Sequence, residues 1–209
     1  MRMTLNQTGG IALILGAILF ALYSSLFFVL LPIGSGNFDL AAAVMDPDWL
    51  RLTITAFLGI LLMLYGFYAV YARLQNSSGG LGATGFLLIE LAYLLQACKV
   101  TWEIFLYPVI AANPGSAFLL RDGVLKHAPA VMLFRSASSL IIFAGILLFC
   151  AALYRSRQFP KIAPVLVFAG ALLYAVGPFI SIFVGVPGIF LFAIGCSLLG
   201  LHLLRNSRA

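Results

Sequence analysis

Between Thr84 and Ile110 the chain reads TGFLLIELAYLLQACKVTWEIFLYPVI, 27 residues whose only charges are Glu90, Lys99 and Glu103. About 20 mostly apolar residues in a helix cross the hydrocarbon core of a bilayer, so this stretch can span a membrane with length to spare. At ~100° per residue, Gln96, Lys99 and Glu103 fall at about 240°, 180° and 220° relative to Glu90, and Tyr107 joins the same face. The stretch is expected to be a membrane helix with one polar stripe. Glu90 points elsewhere, with Thr101 at a similar angle.

Composition extends this to the whole chain. Of 209 residues, 63% are hydrophobic and 9% are charged, and mean hydropathy is +1.12. Soluble domains are about 45–50% apolar and about 25% charged. A chain of this size cannot bury so much apolar surface in water, so lipid must cover most of it. A soluble single-domain enzyme is excluded. The expected fold is all-α, a single integral membrane domain over residues 1–209 with six spans at about 11–31, 52–71, 84–110, 129–154, 162–184 and 186–204.

The first span follows Arg2 but is longer than the roughly 7–15 residues of a signal-peptide core, and no small-residue cleavage site follows it closely, so it is read as an uncleaved helix. The net charge of +6 forms no basic run, which argues against nucleic acid as a partner. It reports topology instead. With the N-terminus inside, Arg2, Arg73, Arg155, Arg157, Lys161, Arg205 and Arg208 share the inner side with no acid. Asp39, Asp46, Asp48 and Asp122 lie outside with Arg51, Arg121 and Lys126. An excess of Lys and Arg marks the cytoplasmic side, so both termini are expected there.

The inner connections carry turn chemistry: Gln75-Asn-Ser-Ser-Gly-Gly80 is one, and Arg155-Ser-Arg-Gln-Phe-Pro160 ends a helix before a proline. Of the outer ones, Asp46-Pro-Asp48 suits a helix cap, and the segment from Asn113 to Pro129 suits a piece lying at the membrane surface. Small residues recur seven apart in every span: Gly9 and Gly16, Gly59 and Gly66, Gly85 and Ala92, Ser138 and Gly145, Gly170 and Gly177, Gly188 and Gly195. Such strips permit close helix approach where lipid removes any hydrophobic drive between helices. Two segments echo others: Gly16-Ala-Ile-Leu-Phe-Ala-Leu22 resembles Gly170-Ala-Leu-Leu-Tyr-Ala-Val176, and Phe57-Leu-Gly-Ile-Leu-Leu62 resembles Phe143-Ala-Gly-Ile-Leu-Leu148. A kink is expected at Gly177-Pro178.

The stretch from Phe143 to Gly177, with Ala152-Leu-Tyr-Arg-Ser-Arg-Gln-Phe-Pro160 at its centre, resembles bacterial multi-pass membrane proteins of unknown function. In these a Leu-Tyr-Arg-Ser-Arg type junction followed by proline joins two late helices. The match covers about a sixth of the chain. Lys161-Ile-Ala-Pro164 stands where those proteins carry Trp-Leu-Gly. The resemblance implies a bacterial plasma (inner) membrane location and six or so helices, and it carries over no catalytic residues.

Ionisable groups inside a span are expensive and by default mark a functional site. The candidate ligand-binding residues are Gln96, Lys99, Glu103 and Tyr107 of the third span and Arg135 of the fourth. Lys99, Glu103 and Arg135 all fall in the outer halves of their helices, where an ion-paired group with one surplus positive charge could hold a lipid headgroup, a small anion or a carboxylate. No catalytic residue is assigned, since protease, hydrolase and phosphate-loop motifs are absent. No cofactor is expected: Cys98, Cys150 and Cys196 form no CxxC pair, and His127 and His202 are not matched in depth for haem. Besides the bilayer, the partners anticipated are a lipid, a small anion or another membrane subunit. Three functions follow: a non-catalytic binding protein, a small permease component, and a membrane enzyme acting on a lipid-like substrate.

Overall fold

The computed structural model describes residues 4–30, 39–121, 123–180 and 182–206. It is all-helical, with no strand among the described residues. The helices are α1 (Leu5–Leu30), α2 (Leu40–Val44), α3 (Pro47–Thr101), a π-helical turn (Trp102–Leu106), α4 (Tyr107–Ala112), α5 (Phe118–Arg121), α6 (Val124–His127), α7 (Pro129–Ser156), α8 (Ile162–Ile180) and α9 (Ile182–Arg205). Four described helices are long and apolar enough to cross a membrane: Leu5–Phe27, Pro47–Ala112, Pro129–Ser156 and Val184–Arg205. Within α8 the described apolar stretch is the shorter Ile162–Gly177. This is the make-up of an integral membrane protein.

The 66-residue helical run Pro47–Ala112 is not one rod. At Gly79 the backbone takes φ 56° and ψ −154°, a conformation essentially restricted to glycine. A Cβ there would meet nothing within 4 Å, so the requirement is conformational rather than steric. The break lies inside the turn expected at Gln75–Gly80. It folds α3 into two antiparallel arms, shown by Tyr71 stacked on Phe86 at 4.3 Å and Phe67 beside Tyr93 at 5.8 Å.

The long helices close into a ring. The first arm of α3 packs on α1, α1 on α9, α9 on α8, α8 on α7, and α7 on the second arm of α3. The small-residue strips lie at these seams. A Cβ on Gly66 would stand 2.6 Å from Leu13 Cβ, one on Gly85 2.5 Å from the Phe149 N, one on Gly188 2.5 Å from the Tyr174 N, and one on Gly195 2.6 Å from the Val167 N. At the centre Phe67, Phe149, Leu199 and Cys196 are buried. The outer surface is apolar instead, with Leu133 and Leu140 each 71% exposed, a face suited to acyl chains.

The two ends of the ring differ in chemistry. At one, Gln158 Nε2 donates to Ser77 Oγ at 2.9 Å, His202 stacks near Phe159, and Gly10 meets Gly200. The start of α1, the end of α9, the turn at Gln75–Gly80 and the basic turn at Arg155–Pro160 therefore share that end. At the other, Asp39 Oδ1 accepts from the N–H of Ala41 and Ala42 and so caps α2, while Oδ2 pairs with Arg121 at 3.2 Å. Asp46 accepts from the Asp48 N–H at 2.8 Å, as its capping sequence suggests.

Several boundaries differ from the expected ones. A Cβ on Gly177 would lie 2.5 Å from Gly185 Cα, so the chain reverses between them and Val184 belongs to α9 rather than to the helix read as 162–184; Ser181 lies outside the described residues. Proline is tolerated in membrane helices, and α9 runs on through Pro187. α1 begins at Leu5, ahead of Ile11, because Thr4 Oγ1 accepts from the Gln7 N–H and caps it. The surface segment 113–128 forms two short helices, α5 and α6. Leu31, residues 32–38, Asp122, Arg2 and Arg208 lie outside the described residues.

Candidate functional site

Inside the ring, toward the Asp39–Arg121 end, lies a cavity of about 360 Å³ to which all the long helices contribute. Its walls are aromatic and aliphatic, with Phe20 and Phe27 from α1, Ile60 and Met63 from the first arm of α3, Phe143 from α7 and Phe192 from α9. Phe20 sits edge-on to both Tyr174 and Phe192, at 5.7 and 5.5 Å. Into this lining project Tyr23, Ser24, Gln96, Lys99, Ser139 and Tyr174. A mostly apolar pocket with a few convergent polar groups is the usual form of a small-molecule site.

Among the described residues, two polar atoms around the cavity have no hydrogen-bond partner: the buried Ser24 Oγ and the buried Glu103 Oε2. The other Glu103 oxygen, Oε1, meets Lys99 Nζ at 3.3 Å across one helical turn. Lys99 is about one-third exposed while Glu103 is buried, at 35% and 7% for the side chains. The pair is thus one-sided: a buried carboxylate held by a lysine that also reaches the cavity.

The backbone around Glu103 explains why it sits there. The Tyr107 N–H bonds to the Trp102 carbonyl, five residues back, which is the π register. The next bond in that register would run from residue 108 to the Glu103 carbonyl, but Pro108 has no N–H. The Trp49 indole Nε1–H fills the gap, donating to the Glu103 carbonyl at 2.9 Å. Trp49, Val44 and Leu52 form a small buried cluster that anchors this end.

The expected site residues are therefore only partly brought together. Gln96 and Lys99 line the cavity, and Glu103 pairs with Lys99 from behind it. Tyr107 does not follow the stripe. The π turn at Trp102–Leu106 breaks the 100° phase, and Tyr107 packs instead against the cluster of Trp49, Val44 and Leu52. Arg135 is on the exposed face of α7 and forms no ion pair with Glu103 among the described residues, although its charge acts on Tyr107. The seams set by Gly85 against Phe149 and Gly145 against Ile89 place Arg135 level with Lys99, so its depth was legible and its direction was not. Glu90 lies apart, half-buried, with Oε1 lacking a partner.

Sequence patterning passed over Tyr23, Ser24, Ser139 and Tyr174, which carry no charge. A signal for Tyr174 was present: the segment repeat aligns Phe20 with Tyr174, and these two rings meet. Among the described residues no group of three or more His, Cys, Asp or Glu could hold a metal ion, and the three cysteines are free. No family model, curated protein or solved structure matches this chain.

Proposed function

We propose that this chain is a non-catalytic, six-span membrane protein that binds an amphipathic small molecule inside its helical ring. The observation that carries this is the cavity itself, apolar over most of its wall yet furnished with Lys99, Gln96 and an unpartnered Ser24 hydroxyl. A buried polar group without a partner costs about 1–3 kcal/mol, so a ligand that hydrogen-bonds the Ser24 hydroxyl gains on that scale. The cavity floor is closed by Met63, Ile146 and Phe192, all buried, which favours binding over permeation.

The inferred topology counts the two arms of α3, together with α1, α7, α8 and α9, as the six crossings. Both termini are assigned to the cytoplasm, on the strength of Arg73, Arg155, Arg157, Lys161 and Arg205 at that end of the ring. Kinship with bacterial inner-membrane proteins is inferred from the sequence of the junction from Ala152 to Pro160 alone. The site then faces the outer leaflet.

Two measurements test this. Reporter fusions at Asn76 and after Asn206 are expected to read inside, and an outside signal at either overturns the topology. Native mass spectrometry of the protein released from mild detergent is expected to show a retained amphiphile that Ala171→Trp, which fills the cavity, displaces. Equal retention by both forms would place the amphiphile outside the cavity and defeat the binding function.

A further inference from the structure

The residues lining the cavity divide by exposure. Met63, Ser24, Ile146 and Phe192 are at most 4% exposed, whereas Ser139, Tyr174 and Ala175 are exposed. These three all belong to α7 and α8. The two helices meet through Phe143 and Phe168, with ring centroids 6.1 Å apart. On α7 the strip of Ser138 and Gly145 faces α3, which turns Ser139 and Phe143 toward α8. Beyond the phenylalanine contact the cavity therefore opens sideways, between Ser139 on one helix and Tyr174 and Ala175 on the other. The rim is apolar, with Leu140 71% and Leu172 38% exposed. In a bilayer such an opening meets acyl chains, and what enters by it arrives dissolved in lipid.

The head-group chemistry narrows the visitor further. Lys99 Nζ stands 3.3 Å from Glu103 Oε1 as an ion pair and its ammonium carries three N–H donors, and among the described residues the Ser24 hydroxyl has no hydrogen-bond partner. The Gln96 amide adds further donors at the same wall. Of the charged groups, Lys99 lines the cavity and is paired with Glu103, and Arg135 lies outside the cavity wall, one turn from Ser139 on α7. The cavity wall itself thus presents a cation and no anion. A carboxylate, a single negative charge with two acceptor oxygens, matches that donor set, whereas a cationic head would face Lys99. The volume of about 360 Å³ is near the lower end of small-molecule pockets, roughly 300–1,000 Å³, which suits one acyl chain and not the two of a phospholipid.

We infer that the ligand is a single-chain carboxylate amphiphile, a long-chain fatty acid, which enters the cavity from the membrane between α7 and α8. This rests on the cavity being a binding site for an amphiphile and adds its chemical class and its route.

The test uses the full chain in phosphatidylcholine nanodiscs, photolabelled with palmitic acid bearing a mid-chain diazirine, with adducts mapped by peptide mass spectrometry. Adducts are expected on Phe20, Phe143 and Phe192, and excess palmitate suppresses them while methyl palmitate does not. Lys99→Gln lowers the labelling by about tenfold or more, the scale of one lost charge-assisted hydrogen bond, and Lys99→Arg retains most of it. Ala175→Trp, which narrows the opening, slows the approach to full labelling. Competition by methyl palmitate equal to that by palmitate overturns the carboxylate assignment and leaves amphiphile binding standing. Labelling of Ala175→Trp at the wild-type rate overturns the lateral route. Adducts confined to Leu133 and Leu140 on the lipid face defeat both the fatty-acid assignment and the binding function beneath it.

Discussion

The indole N–H of Trp49 donates to the backbone carbonyl of Glu103 at 2.9 Å, joining residues 54 apart in the chain. This bond substitutes for the one Pro108 cannot make in the π register that closes at Tyr107. It fixes the turn that carries Glu103 and, through the Glu103 carboxylate, the lysine at the cavity wall. π turns inside helices are frequent at functional sites, and here the irregularity has an identifiable cause in one proline and one tryptophan.

Trp49→Phe keeps the ring but removes the donor, leaving a buried carbonyl unsatisfied at a cost of about 1–3 kcal/mol. Pro108→Ala restores an N–H that can serve the same end of the helix. The destabilisation by Trp49→Phe, measured by thermal unfolding in detergent, is expected to shrink in the Pro108→Ala background. Strict additivity of the two changes would show that the Pro108 gap is not what Trp49 fills.

Lys99 and Glu103 are expected to be energetically coupled, and Arg135 and Glu103 are not. Removing one partner of a buried ion pair costs about 3–5 kcal/mol, an exposed pair contributes about 0–1 kcal/mol, and this pair lies between the two because Lys99 is partly exposed. A double-mutant cycle of Lys99→Gln with Glu103→Gln should give a coupling near 1 kcal/mol or more, while Arg135→Gln with Glu103→Gln stays within about 0.5 kcal/mol of additive. The reverse ranking would return Arg135 to the site.

The glycine seams are not equally tight. A Cβ on Gly195 would come 2.6 Å from the Val167 N, a backbone atom, whereas one on Gly59 would meet Leu19 Cβ at 3.3 Å and Gly16 O at 3.6 Å. Gly195→Ala is expected to cost about 1–3 kcal/mol through overpacking. Gly59→Ala should lie near zero, because alanine's better helix propensity, about 0.5–1 kcal/mol, offsets a mild contact. Melting temperatures of the two variants in one detergent decide the order, and a larger loss for Gly59→Ala contradicts this packing.

At the turn between the arms of α3, Gly79→Ala forces a Cβ into a backbone region that only glycine occupies freely and should cost about 1–3 kcal/mol. Gly80→Ala, next to it and equally unhindered, serves as the matched control and should be nearly silent. Equal effects would mean that the break does not reside at Gly79.

By itself the sequence determined the apolar, helical character of the chain and the turn inside α3. Apolar composition set the bilayer as solvent, the 27-residue stretch from Thr84 to Ile110 set helical spans, and the turn Gln75–Gly80 supplied glycine at position 79, where the conformation that doubles α3 back needs it. Seven-residue spacing picked out the seams, because seven steps of ~100° return a side chain to the same face of a regular helix. The same regularity failed at Tyr107, since a π turn made by Pro108 and stabilised by a tryptophan 54 residues before Glu103 changes the phase. Only the tertiary structure decided which helices are neighbours: α1 meets α9 through Gly10 and Gly200, at opposite ends of the chain. That closure brings Ser24 and Tyr174 to one wall with Lys99 and leaves Arg135 outside. Periodicity assigns a side chain to a face of its own helix, and the direction of that face in the bundle is fixed by packing against helices distant in sequence.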